Sequence, residues 1–173
     1  MASDEKHVAR SIFVIGLRDA HAVEHQALAL MDRQLDRLEN YPEVEQRMRS
    51  HRLETEHQIE RLDLILERMG ESHSALKDTA LALSGNMAAL AHTLAGDEIL
   101  KNSFANFAFE NFEAASYKAL ITVAEHGSFA DAIPLLRETL EEELAMAQFC
   151  DDVLPRVTRR FLELREAGET ASH

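Results

Sequence analysis

Residues 13–42, FVIGLRDAHAVEHQALALMDRQLDRLENYP, hold one helix, its end and the opening of the next. Phe13, Leu17, Ala20, Leu28, Met31, Leu35 and Leu38 recur at three- and four-residue spacing, which predicts one long helix over about 4–38. Glu24 falls inside that apolar stripe, so the helix turns an acid toward the core. Asn40-Tyr41-Pro42 ends the run, and Pro42 is suited to open the next helix because a first-turn proline has no amide hydrogen to lose. Val44, Met48, Leu62 and Ile65 carry that second helix over about 43–69 until Gly70 stops it, giving an antiparallel hairpin.

Downstream the pattern repeats after an interruption. Residues 71–96 suggest a crossover with a short Ala/Leu-rich helix at about 78–94, followed by Gly96 and an N-cap at Asp97. A third long helix, about 97–126, carries Phe107, Ala114, Tyr117, Ile121 and Ala124 to Gly127. Ser128 then caps a fourth over about 129–166, in which Pro134 and Pro155 predict a bend or a shortened start. Hairpin, long connection, hairpin is the topology of an all-α, ferritin-like four-helix bundle with one long crossover, here a single domain over 1–173.

Composition agrees and narrows the function. Six Gly and three Pro leave few breakers for so long a chain, as an all-helical protein requires. Eighteen Lys and Arg against 31 Asp and Glu give a net charge of -13, which repels phosphate backbones and anionic lipid and argues against nucleic acid or membrane partners. The one apolar run near the start, Ile12 to Ile15, is too short for a signal sequence or a membrane span. The lone Cys150 has no internal disulfide partner and reads as a buried bystander, which fits a cytoplasmic location.

Each long helix sets an acid in its stripe: Glu24, Glu54, Glu110 and Glu138. Glu24 lies sixteen residues before Asn40 and Glu54 fourteen after it, so both stand ~20–24 Å from the turn at helical rise. Glu110 and Glu113 precede Gly127, and Glu138 and Glu141 follow it, at comparable separations. Four inward acids at one level repel one another, and none has Lys or Arg three or four residues away on its own helix. Two divalent metal ions would offset them. Glu54-x-x-His57 supplies the acid and imidazole one turn apart that di-iron carboxylate bundles use, with Glu138-x-x-Glu141 as its counterpart.

The bland alternatives are real. A lone Glu-x-x-His is common on acidic helices, so the weight rests on the four-helix constellation. On the last helix Glu141 fits the i+3 spacing while Glu142 continues the series Leu135, Glu138, Ala145 and Phe149, and both stay open as ligands. His57 is the favoured imidazole. His21 and His51 are read as ligands or as hydrogen-bonded neighbours of the acids, and Met31 and Met48 as core filler. Phe104, Phe107, Phe109 and Phe112 cover more of the third helix than one stripe, which calls for a second apolar contact, a homodimer among the options.

Four segments carry a resemblance over about residues 11–150: Leu17-x-Asp19-x4-Glu24; His51-x-x-Glu54-Thr55-x-x-Gln58-Ile59-Glu60-Arg61; Glu110-x-x-Glu113-x3-Tyr117; and Leu135-Leu136-x-Glu138-Thr139-Leu140-x-Glu142-Glu143. In these the chain resembles the YciE/YciF family of ferritin-like bacterial stress proteins, whose fold is similar to that of rubrerythrin-type di-iron proteins. The resemblance implies bridging roles for Glu54 and Glu138 and terminal roles for Glu24, Glu110, Glu113, His57 and Glu141; Tyr117, one turn beyond Glu113, is placed by its spacing to hydrogen-bond behind them. It departs from rubrerythrins in placing Glu141 where they have a histidine, and in lacking a Cys-rich electron-delivery domain. The function it implies is ferroxidase or peroxide-reducing chemistry on two irons, with oxygen or peroxide as oxidant and manganese or zinc as alternative metals. The competing expectation is a non-enzymatic stress dimer with a structural or empty site.

Overall fold

The computed structural model describes residues 2–71 and 96–172, with the side chains of residues 2–6 left aside. Four long helices carry it: α1 (Ala2–Leu35), α2 (Pro42–Arg68), α3 (Glu98–Gly127) and α4 (Ile133–Glu166). The expected crossover helix at 78–94 lies outside the described residues. Pro42 sits in the first turn of α2, where Glu43 and Glu45 also complement the positive end of the helix dipole. Gly70, at φ 75°, takes the left-handed conformation that ends the helix.

The second hairpin differs from its expected form. The left-handed residue after α3 is Ser128 (φ 60°), not Gly127, which remains the last helical residue. The α4 helix starts at Ile133 with Pro134 in its first turn, so the proline shortens the start, while Pro155 stays inside the helix. The early glycine does not set the stop because the chain must turn one residue later to lay Phe129 on Phe13, with ring centroids 4.9 Å apart and planes 10° apart.

Long-range bonds give the arrangement. α1 runs antiparallel to α3 through Gln34–Asn106 and Arg37–Glu98, and α2 runs antiparallel to α4 through Arg61–Glu142 and Arg156–Glu43. The chain leaves α2 at Glu71, held by Arg10 and Arg18 of α1, and enters α3 at Glu98, held by Arg37 at the other end of α1. That is the single long crossover of a four-helix bundle with α2 and α3 parallel.

The core is divided along its length. One apolar cluster gathers Met31, Leu35, Met48, Phe109, Val153 and Val157, and the other Phe13, Leu17, Leu62, Ile65, Leu120 and Leu136. Between them every helix contributes buried polar side chains, among them Glu24, His51, Gln58, Glu110, Glu113 and Glu143. No helix among the described residues is long and apolar enough to cross a membrane.

Candidate metal centre

The polar layer follows from helical phase. On α2 the buried positions are Met48, His51, Thr55, Gln58 and Leu62, an unbroken alternation of three- and four-residue steps. On α4 they are Leu136, Thr139, Glu143, Met146 and Cys150, again at those steps. α1 supplies Glu24, and α3 supplies Glu110, Glu113 and Tyr117. Placed between two apolar clusters, these groups cannot reach water, and each must find a partner in the layer.

Some do. The Tyr117 hydroxyl donates to Glu24 Oε1 at 2.5 Å, and Gln58 Nε2 donates to Glu143 Oε1 at 2.6 Å and to Glu142 Oε2 at 3.0 Å. His51 lies between two acids, with Nδ1 2.9 Å from Glu54 Oε2 and Nε2 3.2 Å from Glu110 Oε2. His51, Glu110 and Glu143 each offer a ligand atom, all within 4.8 Å of one another. Others do not: Glu24 Oε2, Glu143 Oε2 and both oxygens of Glu113 are buried and receive no hydrogen bond.

The electrostatics record that crowding. Burial pushes the Glu24 carboxyl up to about 8, with Glu110 and Glu142 adding to the rise and the Tyr117 hydrogen bond and the His51 charge only partly opposing it. Glu113 and Glu143 are raised well above the carboxylate range, first by burial and then by the neighbouring acids. Burial of the His51 ring works against its charge, yet hydrogen bonds to Glu110 and Glu54 and the charges of Glu110 and Glu143 raise it to about 10. Cys150 is a buried thiol pushed up to about 12 by burial, hence neutral and unreactive.

The sequence-derived residues divide into two groups. Glu24, Glu110 and Glu113 are brought together in the layer, with Tyr117 bonded to Glu24. Glu54 stands at its margin with its side chain 28% exposed, held by Arg47 and His51, and the hydrogen bond from His51 keeps its carboxyl below the usual range. His57 and Glu141 face outward, and Glu138, 58% exposed, pairs with Arg61. The inward acid of α4 is therefore Glu143 rather than Glu138, because Leu136 and not Leu135 sets the buried stripe. Glu142, the other open candidate, is held by Arg61 and Gln58 beside the layer.

Two residues of the layer were missed as its centre, His51 and Glu143. The signal for His51 was its four-residue step to Thr55 and three-residue step from Met48, which a strict count along α2 picks out over His57. Glu143 was masked by the acidic run Glu141-Glu142-Glu143, where local spacing alone cannot choose the inward member.

The donor set fits a metal ion. Among the described residues, four buried acids of the layer face one buried cation, His51, and the unpartnered oxygens cost several kcal/mol unless a positive charge joins them. Oxygen donors with one imidazole suit divalent first-row metals.

The chain matches, over residues 8–163, the family described as Domain of unknown function (DUF892). It is 32% identical over 142 residues to Protein YciF of Escherichia coli strain K12, covering 78% of this chain and 82% of that one. The crystal structure of the E. coli stress protein YciF superposes with TM-score 0.67 at 28% identity, over 84% of this chain and 94% of that one. A protein of Xanthomonas campestris pv. campestris superposes with TM-score 0.76 at 27% identity, over 91% of this chain and 99% of that one. YcfI of Rhodopseudomonas palustris, described as a candidate structural protein, superposes with TM-score 0.68 at 26% identity, over 83% of this chain and 92% of that one. With the motifs, the helical bundle and these relatives in agreement, the chain belongs to the YciE/YciF family of bacterial stress proteins.

Proposed function

We propose that this is a di-metal, di-iron-type carboxylate protein of the cytoplasm, with ferroxidase or peroxide-reducing activity. The observation that carries the reading is the set of unpartnered oxygens on Glu24, Glu113 and Glu143 around a single imidazole. His51, Glu110 and Glu143 would hold one ion, and Glu24 and Glu113 would supply oxygen donors for a second. Bound iron would supply one-electron redox chemistry toward oxygen or peroxide, which carboxylate ligation favours by stabilising the ferric state.

The protein's own groups do the positioning. Glu54 accepts from His51 Nδ1 and so fixes the ring with Nε2 turned inward, the way a carboxylate behind a ligating histidine sets its tautomer. Tyr117 pins one oxygen of Glu24 and leaves the other open, and Gln58 does the same for Glu143. Arg61, bonded to Glu138, Thr139 and Glu142, neutralises the acids next to the layer without entering it. The two apolar clusters exclude water on either side.

Anaerobic Fe(II) titration with metal analysis tests this. The expected stoichiometry is about two per chain, falling at least tenfold in affinity in His51→Ala and Glu143→Ala. Less than a tenth of an iron per chain in the parent sinks the reading. The second reading, a non-enzymatic homodimer, is favoured by the exposed rings of Phe104 and Phe107 and by the description of YcfI as a candidate structural protein. Light scattering that finds a dimer, with metal raising the melting temperature and no turnover with peroxide, would select it.

A further inference from the structure

Between α1 and α3 lies a cleft of about 300 Å³ whose lining includes two residues of the polar layer. Ile12 and Phe112, each 52% exposed, stand at its rim, and Val23, Ala119 and Leu120 line its wall. Gly16 lines it too; there the helices approach so closely that a Cβ would stand 2.8 Å from Leu120 Cδ2. The lining also includes Tyr117 and Glu113, which are 1% and 2% exposed and belong to the polar layer. Both oxygens of Glu113 are without a hydrogen-bond donor, so an apolar cleft meets an unsatisfied buried carboxyl group.

We propose that this cleft is the port by which dioxygen, a small uncharged molecule of low polarity, reaches the acidic layer; the proposal rests on the di-metal reading above. The wall chooses the class of ligand. Among the described residues, Asp19 is the one charged side chain along it apart from Glu113, so a hydrated ion would shed water against hydrocarbon without compensation. The net charge of -13 further disfavours anionic oxidants. A small apolar molecule loses nothing on entry and arrives beside Glu113 and Tyr117.

Xenon serves as the apolar probe, because it reports the cleft in metal-free protein. Crystals pressurised with xenon should show it between Phe112 and Leu120, and Ala119→Phe, an exposed position on the wall, should remove it. In iron-loaded protein the same variant should slow oxidation by dioxygen at least fivefold, with unchanged Fe(II) stoichiometry. Ser116→Leu repeats the block from the neighbouring turn should Ala119→Phe fold poorly. No xenon in the cleft of the parent, or an oxidation rate unmoved by both blocks, overturns the port. A parent that takes up no iron removes the metal centre instead, and the xenon result then decides the cleft alone, its presence beside Glu113 supporting the proposal and its absence ending it.

Discussion

His51 and Glu24 hold opposite ends of the same electrostatic problem, and the pH dependence of the metal-free protein follows from both. Glu24 keeps its proton to about 8 when folded but ionises near 4.5 when unfolded, so between those values the native state binds the extra proton and stability falls as pH rises. His51 is charged to about 10 when folded and to 6.5 unfolded, so its stabilisation is complete below 6.5 and is lost as pH climbs through 10. Thermal melts in chelator should therefore show the melting temperature dropping steadily from pH 5 to 9. Glu24→Gln should flatten the lower part of that slope and, at pH 8, raise metal-free stability by on the order of a few kcal/mol while weakening metal binding. A parent whose melting temperature is level across that range would contradict it. Tyr117→Phe removes the donor to Glu24 and should cost about 1–3 kcal/mol in urea unfolding at a pH where Glu24 is ionised.

At the level of elements, the turn after α3 makes the sharpest predictions. Ser128 occupies left-handed backbone that an L side chain adopts at a cost, so Ser128→Gly should raise the unfolding free energy by about 1 kcal/mol. One residue earlier the outcome reverses. A Cβ on Gly127 would fall 2.3 Å from the Phe129 ring, which is stacked on Phe13 and cannot easily retreat, so Gly127→Ala should lose about 1–3 kcal/mol. Urea unfolding of the pair separates the two; a stabilising Gly127→Ala would mean that the ring moves freely. The limits of α2 were legible because Pro42 and Gly70 act through local backbone chemistry, whereas α1 closes at Leu35, short of the expected 38. The phase of α4 was not: Leu135 and Leu136 are both apolar, and a one-residue slip in the stripe exchanges Glu143 for Glu142 or Glu138 on the inward face.

Across the whole molecule, residues far apart in sequence close the end of the bundle opposite Gly70. Ala171 is buried, Tyr41 donates to its carbonyl at 2.6 Å, Asn40 donates to Thr170 O at 3.2 Å, and Ile99 N donates to Ser172 O at 3.1 Å. Deleting residues 168–173 should cost roughly 2–4 kcal/mol, the sum of those bonds and the exposed apolar end, as read from urea unfolding. An unchanged midpoint would show that this segment is not anchored.

Four long helices, their interruption at Pro42 and Gly70, one crossover between two hairpins, and the inward stripes of Glu24, Glu110 and Glu113 were all legible before any packing was known. Helical period and backbone chemistry act over a few residues, and a few residues are enough to read them. Which imidazole and which member of the acidic run enter the layer was decided only by packing. His51 displaces His57 because Met48 and Leu62 lock the rotation of α2, and Glu143 displaces its neighbours because Leu136 and Met146 lock that of α4. Helix rotation about its own axis is set by contacts between helices, and no local spacing contains it.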